Sequence, residues 1–134
     1  MHPITQGFGY DPTYEGNNEH FHYGLDFGLP PGIPVLAVAD GQVVEAAPEL
    51  PKRYPSVLDG AWGTYVEIKH DDGLHSGYAH LSALRVVVTQ EVSAGQLLGY
   101  SGATGRKGYI TGPHLHFQAF KGGKRIDPAP LLGV

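Results

Sequence analysis

The sequence predicts an all-β fold, in which antiparallel sheets of short strands form a compact, barrel-like single domain. Its 134 residues include 20 glycines and 11 prolines, about twice the usual share of these two residue types. The longest stretch free of both, residues 78–94, has 17 residues, and the next, residues 64–72, has 9. Because an average helix needs about 11 or 12 residues, long helices are nearly excluded. A hydrophobic content of 41% still favours a folded domain over a disordered chain.

Four segments have the residue patterns of β-strands. In residues 64–70 and 114–120, polar residues alternate with apolar or aromatic ones at the period of a strand. Residues 35–39 and 41–46 are short, valine-rich apolar runs, which are typical of buried strands. No repeat or linker-like tract interrupts the chain, so residues 1–134 are treated as one unit.

Turn and loop signals connect these strands. The run Asp71-Asp72-Gly73 predicts a hairpin turn that returns through residues 74–80. Residues 86–89 are β-branched and favour a further strand, whereas residues 101–105 are predicted to form a loop. Residues 48–60 contain three prolines and form the one long irregular segment, and loops of this length are usually functional or disordered.

Charge and composition exclude several classes of partner. Nine lysines and arginines against thirteen acidic residues give a net charge of −4 without a long basic run, so nucleic acid and anionic membrane surfaces are poor partners. No apolar run is long enough to cross a membrane, and we expect no membrane insertion. The absence of cysteine excludes a thiolate zinc site and a cysteine nucleophile. The first ten residues lack the basic and apolar regions of a signal peptide.

Two histidine clusters have spacings that suit a metal. His114 and His116 lie two apart on a predicted strand, so both side chains point to the same face. His22 and Asp26 have the spacing H-x-x-x-D, and Gly24 between them permits a turn that brings the carboxylate back towards the imidazole. Two histidines and one aspartate leave a fourth tetrahedral position for water, as a catalytic zinc site requires. Each pattern alone is weak, because such pairs are more often structural.

The other histidines have simpler interpretations. His20 forms a second i, i+2 pair with His22 and competes with it as a ligand, but we prefer to interpret it as an exposed loop residue. His2, His70 and His75 are interpreted as surface or hairpin residues with satisfied hydrogen bonds.

Several sequence blocks, in a consistent order, resemble one family. The blocks are ITQGFG, HYGLDFGLPPGIPVLAVADGQVV, YVEIKHDDG, GYAHLS, VSAGQLLGYSGATG, TGPHLHFQ and IDPAPLL. From Ile4 to about Leu132, the chain resembles the lysostaphin-type zinc metallopeptidases, the LytM-domain endopeptidases that cut peptidoglycan peptides. The agreement of many separate blocks is specific in a way that no single block is.

The resemblance implies zinc as cofactor and a role for each of five residues. His22, Asp26 and His116 match the zinc ligands of the family. His80 and His114 match its two catalytic histidines, which do not bind the metal. The implied reaction is peptide hydrolysis, in which zinc polarises the scissile carbonyl and lowers the pKa of its bound water towards about 7. One histidine accepts the proton of the water, and the sequence leaves open which of the two it is.

The resemblance also implies an active-site groove. Residues 102–105 are expected to line it, and Tyr65 and Tyr78 either line it or belong to the sheet core. At two positions the chain departs from the family pattern: Ser76 stands where threonine is usual, and Thr89 replaces a common turn glycine.

The sequence therefore predicts a zinc metalloendopeptidase that hydrolyses a cross-bridge or stem peptide of peptidoglycan. The alternative is a non-catalytic LytM-like module that binds or activates cell-wall hydrolases, and the presence of all five His and Asp positions argues against it. A third possibility is a β-domain with a structural metal and a carbohydrate ligand. An extracellular, periplasmic or cell-wall location, or a phage-encoded lysin, fits the prediction. The oligomeric state is open, with a monomer as the expectation.

Overall fold

The computed structural model describes residues 24–47, 63–104 and 113–132, together with the backbone of residues 4–6, 9–10 and 21–22. Almost all regular structure in these residues is β, which confirms the predicted fold class. The strands are β1 (Ile4–Gln6), β2 (Gly9–Tyr10), β3 (Phe21–His22), β4 (Leu25–Phe27), β5 (Pro34–Leu36), β6 (Gly41–Ala47), β7 (Thr64–Lys69), β8 (Leu74–Leu84), β9 (Glu91–Val92), β10 (Leu97–Ser101), β11 (Leu115–Lys121) and β12 (Lys124–Ile126), followed by a short helix α1 (Ala129–Leu132).

Ten of these strands form one sheet, and every pairing in it is antiparallel. Its main path runs β1-β4-β11-β8-β7-β6-β9, while β10 joins β8 to β5 and β12 pairs with β11. Strands β2 and β3 form a separate two-stranded sheet. In the described part of the chain, α1 is the only α-helix, and nothing there has the length and apolarity of a membrane-spanning helix.

The four predicted strands are present with shifted ends, as β5, β6, β7 and β11. The hairpin turn is also confirmed, because residues 71–73 form a short 3-10 turn in which Asp72 has φ +58° and Gly73 has φ +72°. The returning strand, β8, continues to Leu84, well beyond the predicted end at residue 80. Residues 48–60 lie outside the described residues.

Two predictions about local structure are wrong. Residues 86–89 do not form a strand: the Gln90 amide donates to the Val87 carbonyl (3.2 Å), which closes a turn, and Thr89 has φ +79°. Val86 packs in the hydrophobic core, but Val87 and Val88 are 68% and 46% exposed. Ser101 belongs to β10 and not to a loop, because it pairs with Leu81 of β8. Its buried hydroxyl donates to the Pro30 carbonyl (2.8 Å) and accepts from the Ile33 amide (3.0 Å).

The central strands have one apolar face and one polar face. Residues directly opposite each other in an antiparallel pair share a face, and Tyr78 lies opposite both Val66 and Phe117 in the hydrophobic core. On the other side, Gly77 lies opposite Glu67 and Gln118. We call this second side the polar face; it carries Tyr65, Glu67, Gly77, His116 and Gln118.

A β-bulge in β8 changes this alternation next to His80. Thr64 and Val66 of β7 lie opposite Leu81 and Tyr78, so two steps on β7 match three on β8. The extra residue lies between Tyr78 and Leu81, where His80 has φ +64°. Because a bulge places two residues opposite one and re-aims their side chains, His80 turns away from the face of Tyr78. Tyr78 and Leu81 remain in the core.

Candidate active site

Asp26 and His116 meet as direct neighbours on adjacent strands. They are register partners in the β4–β11 pair, a position in which Cβ atoms lie about 5 Å apart. The Asp26 Oδ1 atom is 2.9 Å from His116 Nδ1. His114 lies one residue before β11, and its Nε2 atom is 3.9 Å from the same carboxylate oxygen. Two imidazoles therefore converge on one carboxylate oxygen.

His80 approaches the same group from β8. Its ring centroid lies 4.6 Å from that of His114 and 6.2 Å from that of His116. His80 Nδ1 is 2.8 Å from the Thr104 carbonyl oxygen, and because a carbonyl only accepts hydrogen bonds, Nδ1 carries the hydrogen. Thr104 is itself fixed, since its hydroxyl donates to the Leu81 carbonyl (2.6 Å) and accepts from the Thr64 amide (3.1 Å).

Burial sets the charge of His80. The pKa of His80 is lowered to about 4, mainly by desolvation and also by the rings of His114 and His116, while the Thr104 carbonyl and Asp26 oppose the shift. The His80 imidazole is therefore neutral near pH 7. With the hydrogen on Nδ1, the lone pair is on Nε2, so that His80 Nε2 can accept a proton.

Gly24 is required by close packing against the His116 ring. A Cβ atom at Gly24 would lie 2.6 Å from His116 Cε1, 2.8 Å from His116 Nε2 and 2.6 Å from the Phe117 carbonyl oxygen. These distances are shorter than any ordinary van der Waals contact. The absence of a side chain at Gly24 thus lets the segment before β4 approach the His116 ring.

Of the five predicted site residues, the structure brings together Asp26, His80, His114 and His116. His22 lies in β3, where its backbone pairs with Gly9 of β2, and its side chain lies outside the described residues. Among the side chains that are described, no three His, Asp or Glu residues form a group that could hold a metal ion.

Two contributors to the site are not among the residues predicted from the sequence. The backbone carbonyl of Thr104 orients His80, and the side-chain oxygen Oε1 of Gln118 lies 3.1 Å from His116 Nε2. The signal for Gln118 was available, because it lies two residues after His116 on a strand and shares its face. No pattern of residue types predicts the backbone contact of Thr104.

Among the described residues, His70, Tyr65 and Tyr78 are not members of this cluster. His70 Nδ1 donates to the Asp40 carbonyl (2.7 Å), and His70 Nε2 accepts from the Ser76 hydroxyl (2.8 Å), so the bonds of His70 are satisfied. Tyr65 and Tyr78 are both buried in the sheet, and burial raises the pKa of Tyr78 to about 12. His2 and His20 lie outside the described residues.

The family model of peptidase family M23 matches residues 20–128 of the chain. The chain belongs to peptidase family M23. This M23 chain is 39% identical over 137 residues to the glycyl-glycine endopeptidase ALE-1 of Staphylococcus capitis, across 98% of this chain and 34% of the relative. Its fold is similar to that of the catalytic domain of lysostaphin from Staphylococcus simulans, with a TM-score of 0.78 and 36% identity over 99% of this chain and 93% of that one.

A zinc-containing peptidase from Vibrio cholerae is also similar to the M23 chain, with a TM-score of 0.76 and 31% identity over 94% of this chain and 35% of that one. The curated relatives include peptidoglycan endopeptidases, and the M23 chain spans about a third or less of the length of the first of them. Peptidases of this family are generally zinc-dependent.

Two described donor atoms of the M23 chain, one from Asp26 and one from His116, are of types that bind zinc. Carboxylate oxygen and imidazole nitrogen are both zinc ligands, and two donors on one tetrahedral zinc lie about 3.3 Å apart. Asp26 Oδ1 and His116 Nδ1 are 2.9 Å apart. If these two atoms moved apart by a few tenths of an ångström, both could bind the same ion. The buried environment of His116 also limits competition from solvent.

Proposed function

We propose that residues 1–134 form the catalytic domain of a zinc-dependent endopeptidase that hydrolyses peptide bonds of bacterial peptidoglycan. The observation that carries the proposal is the cross-strand pair of Asp26 and His116, 2.9 Å apart, beside the rings of His80 and His114. Family membership supports the peptidase activity, and the similarity to peptidoglycan endopeptidases supports the substrate class.

In this proposal, His22, Asp26 and His116 hold the zinc ion. Three protein ligands leave a fourth position open, which distinguishes a catalytic zinc site from a structural one. When bound, zinc supplies Lewis-acid chemistry, polarising the scissile carbonyl and lowering the pKa of the attacking water to about 7.

His80 and His114 perform the proton transfers and stabilise the developing charge. One imidazole takes the proton from the attacking water, and the same proton is later delivered to the leaving amine. The other donates a hydrogen bond to the oxyanion that forms at the scissile carbonyl. The fixed, neutral ring of His80 suits the accepting role, since the Thr104 carbonyl holds Nδ1–H and leaves the lone pair of Nε2 available. Each contribution is worth roughly 10²-fold or more in rate.

An enzyme with this substrate acts where peptidoglycan is accessible, which is outside the cell, in the periplasm or at the cell wall. A phage-encoded lysin also fits this proposal. Mass spectrometry of fragments from digested cell walls identifies the peptide bond that is cut, in a cross-bridge or in a stem peptide. We expect this digestion to expose new amino groups and no new reducing sugar ends, because the reaction breaks amide bonds. Reducing ends without amines would mean that the protein is a glycosidase and would refute the proposal.

The decisive experiment separates zinc ligands from catalytic residues. We expect the three ligand variants to lose both zinc and activity, and the two catalytic variants to keep about one zinc per chain while turnover falls roughly 10²-fold or more. Zinc content by elemental analysis and turnover on cell walls are measured on the same purified proteins, with circular dichroism to confirm folding. The variants are His22→Ala, Asp26→Ala, His116→Ala, His80→Ala and His114→Ala.

His20→Ala is the matched control, and we expect it to retain zinc and activity. Loss of zinc in His20→Ala but not in His22→Ala would mean that the first ligand is assigned wrongly. A protein that binds zinc but leaves peptidoglycan peptides intact in every assay would instead be the non-catalytic LytM-like module.

A further inference from the structure

A chain of hydrogen bonds leads away from His116 across the polar face. His116 Nε2 lies 3.1 Å from Gln118 Oε1, and Gln118 Nε2 donates to the Tyr65 hydroxyl (3.0 Å). The Tyr65 hydroxyl donates in turn to Glu67 Oε1 (2.9 Å), and Glu67 Oε2 lies 2.9 Å from His75 Nδ1. The first four side chains are buried, and His75 is partly exposed. This series of hydrogen bonds thus connects β11 with β7 and ends at His75 on β8.

The donors and acceptors in this chain fix where the hydrogen of His116 lies. Because the Glu67 carboxylate accepts, the Tyr65 hydroxyl donates to it and presents its oxygen to Gln118. The amide nitrogen of Gln118 therefore points to Tyr65, and its carbonyl oxygen points to His116. A carbonyl oxygen only accepts, so the contact of Gln118 with His116 Nε2 requires a hydrogen on Nε2. The Asp26 carboxylate also only accepts, so its 2.9 Å contact with His116 Nδ1 needs either a second hydrogen or a cation that both atoms share.

Gly77 makes room for this arrangement. Tyr65 and Gln118 belong to strands on either side of β8, and Gly77 lies between them. A Cβ atom at Gly77 would lie 2.1 Å from the Tyr65 hydroxyl oxygen and 3.0 Å from Gln118 Cγ. Only a residue without a side chain lets the Tyr65 hydroxyl pass over β8 to reach Gln118.

We propose that Gln118, anchored by Tyr65 and Glu67, is a positioning residue that keeps the hydrogen of His116 on Nε2 and presents Nδ1 to the zinc ion. The inference rests on the proposed function, in which His116 is a zinc ligand. The opposite tautomer would place a hydrogen on Nδ1 and block coordination there. Hydrogen-bond partners behind a ligating histidine typically contribute 10- to 100-fold in metal affinity.

The first test reads the tautomer directly in metal-free protein. Nitrogen-15 NMR of the histidine side chains, at a mildly alkaline pH where imidazole is neutral, shows which ring nitrogen of His116 carries the hydrogen. The test uses the Asp26→Ala background, because the Asp26 carboxylate would otherwise accept a hydrogen from Nδ1. We expect Nε2–H in Asp26→Ala, and a mixture of tautomers when Gln118→Met is added, since methionine has a similar size but no comparable acceptor. Nδ1–H in Asp26→Ala, or an unchanged tautomer on adding Gln118→Met, would overturn the inference.

The second test measures zinc affinity by competition with a chromophoric chelator. We expect Gln118→Met to bind zinc about 10- to 100-fold more weakly than the wild-type protein. Tyr65→Phe leaves Gln118 in place but removes its anchor, and we expect it to weaken binding in the same direction by a smaller factor. If Gln118→Met does not fold, Tyr65→Phe decides the question in both tests.

Ser76→Ala is the matched control. Ser76 is a buried, hydrogen-bonded residue of β8 on the opposite face, where it contacts His70 and Tyr78. We expect Ser76→Ala to lower the melting temperature without changing zinc affinity. Equal losses of zinc affinity in Ser76→Ala and Gln118→Met would show a general effect of destabilisation and would overturn the inference. A wild-type protein that binds no zinc would refute the proposed function, whereas normal binding by a folded Gln118→Met refutes only the positioning role.

Discussion

Substitution of Gly77 by alanine should destabilise this protein, although the same change in an ordinary strand is stabilising. Replacing a glycine in a strand usually gains about 0.5–1 kcal/mol, because the unfolded chain loses freedom. At Gly77, however, the new Cβ atom would lie 2.1 Å from the Tyr65 hydroxyl oxygen and 2.8 Å from Tyr65 Cζ. Carbon atoms in contact prefer about 3.5–4.0 Å. The end of the Tyr65 ring must therefore retreat by more than about 1 Å.

The structure also indicates how much free energy of unfolding Gly77→Ala should lose. Tyr65 is fully buried, so that its ring has no open space to enter, and overpacking of this kind costs about 1–3 kcal/mol. Displacement also breaks the hydrogen bond from Gln118 to the Tyr65 hydroxyl, which contributes about 1 kcal/mol. We expect a loss of about 2–4 kcal/mol in the free energy of unfolding. For a chain of this size, that corresponds to a melting temperature lower by about 7–14 °C.

Thermal unfolding followed by circular dichroism measures the effect, and a double-mutant cycle with Tyr65→Phe tests its cause. Removing the hydroxyl removes the 2.1 Å contact, so Gly77→Ala should cost less in the Tyr65→Phe background, with a coupling of about 1 kcal/mol or more. A wild-type melting temperature for Gly77→Ala would refute the packing argument. Additive losses in the cycle would show that the clash does not involve the Tyr65 hydroxyl.

Three further substitutions test other parts of the site and fold. Thr104→Val removes the hydroxyl that holds the Thr104 carbonyl in place against His80. We expect turnover to fall roughly tenfold at unchanged zinc content. Thr104→Ser should restore turnover. Gly24→Ala places a Cβ atom 2.6 Å from His116 Cε1, and zinc affinity by chelator competition should fall at least about tenfold; unchanged affinity would contradict the close packing. Thr89→Gly relieves a β-branched residue at φ +79°, which should add about 1 kcal/mol and raise the melting temperature by about 3–4 °C; a lower melting temperature would show that Thr89 is not strained.

Local sequence patterns predicted the strands in which polar and apolar residues alternate clearly. The alternation in residues 64–70 and 114–120 located β7 and β11, and the Asp-Asp-Gly turn located the start of β8. Residues 86–89 were misassigned because β-branched residues favour a strand only when a neighbouring strand covers them. Val87 is instead exposed in a turn.

The site residues were predicted mainly through the family resemblance, and the structure brings four of the five together. The cross-strand contact of Asp26 and His116 depends on the register of β4 with β11, which no local pattern specifies. The chain through Gln118, Tyr65 and Glu67 depends likewise on three strands lying side by side. Simple alternation would even have placed His80 on the face of Tyr78, since they lie two apart.

The bulge in β8 has a consequence for any attempt to build this site into another protein. Tyr78 and His80 are two residues apart, yet the tyrosine packs in the core and the histidine joins Asp26, His114 and His116 on the other side. A designer who copied these side chains onto a regular strand would send the histidine to the wrong side of the sheet. A transplant must also carry the extra residue and the left-handed backbone at His80. The two-residue backbone of Ala79 and His80 opposite Tyr65 is therefore as necessary to a working copy as the imidazoles.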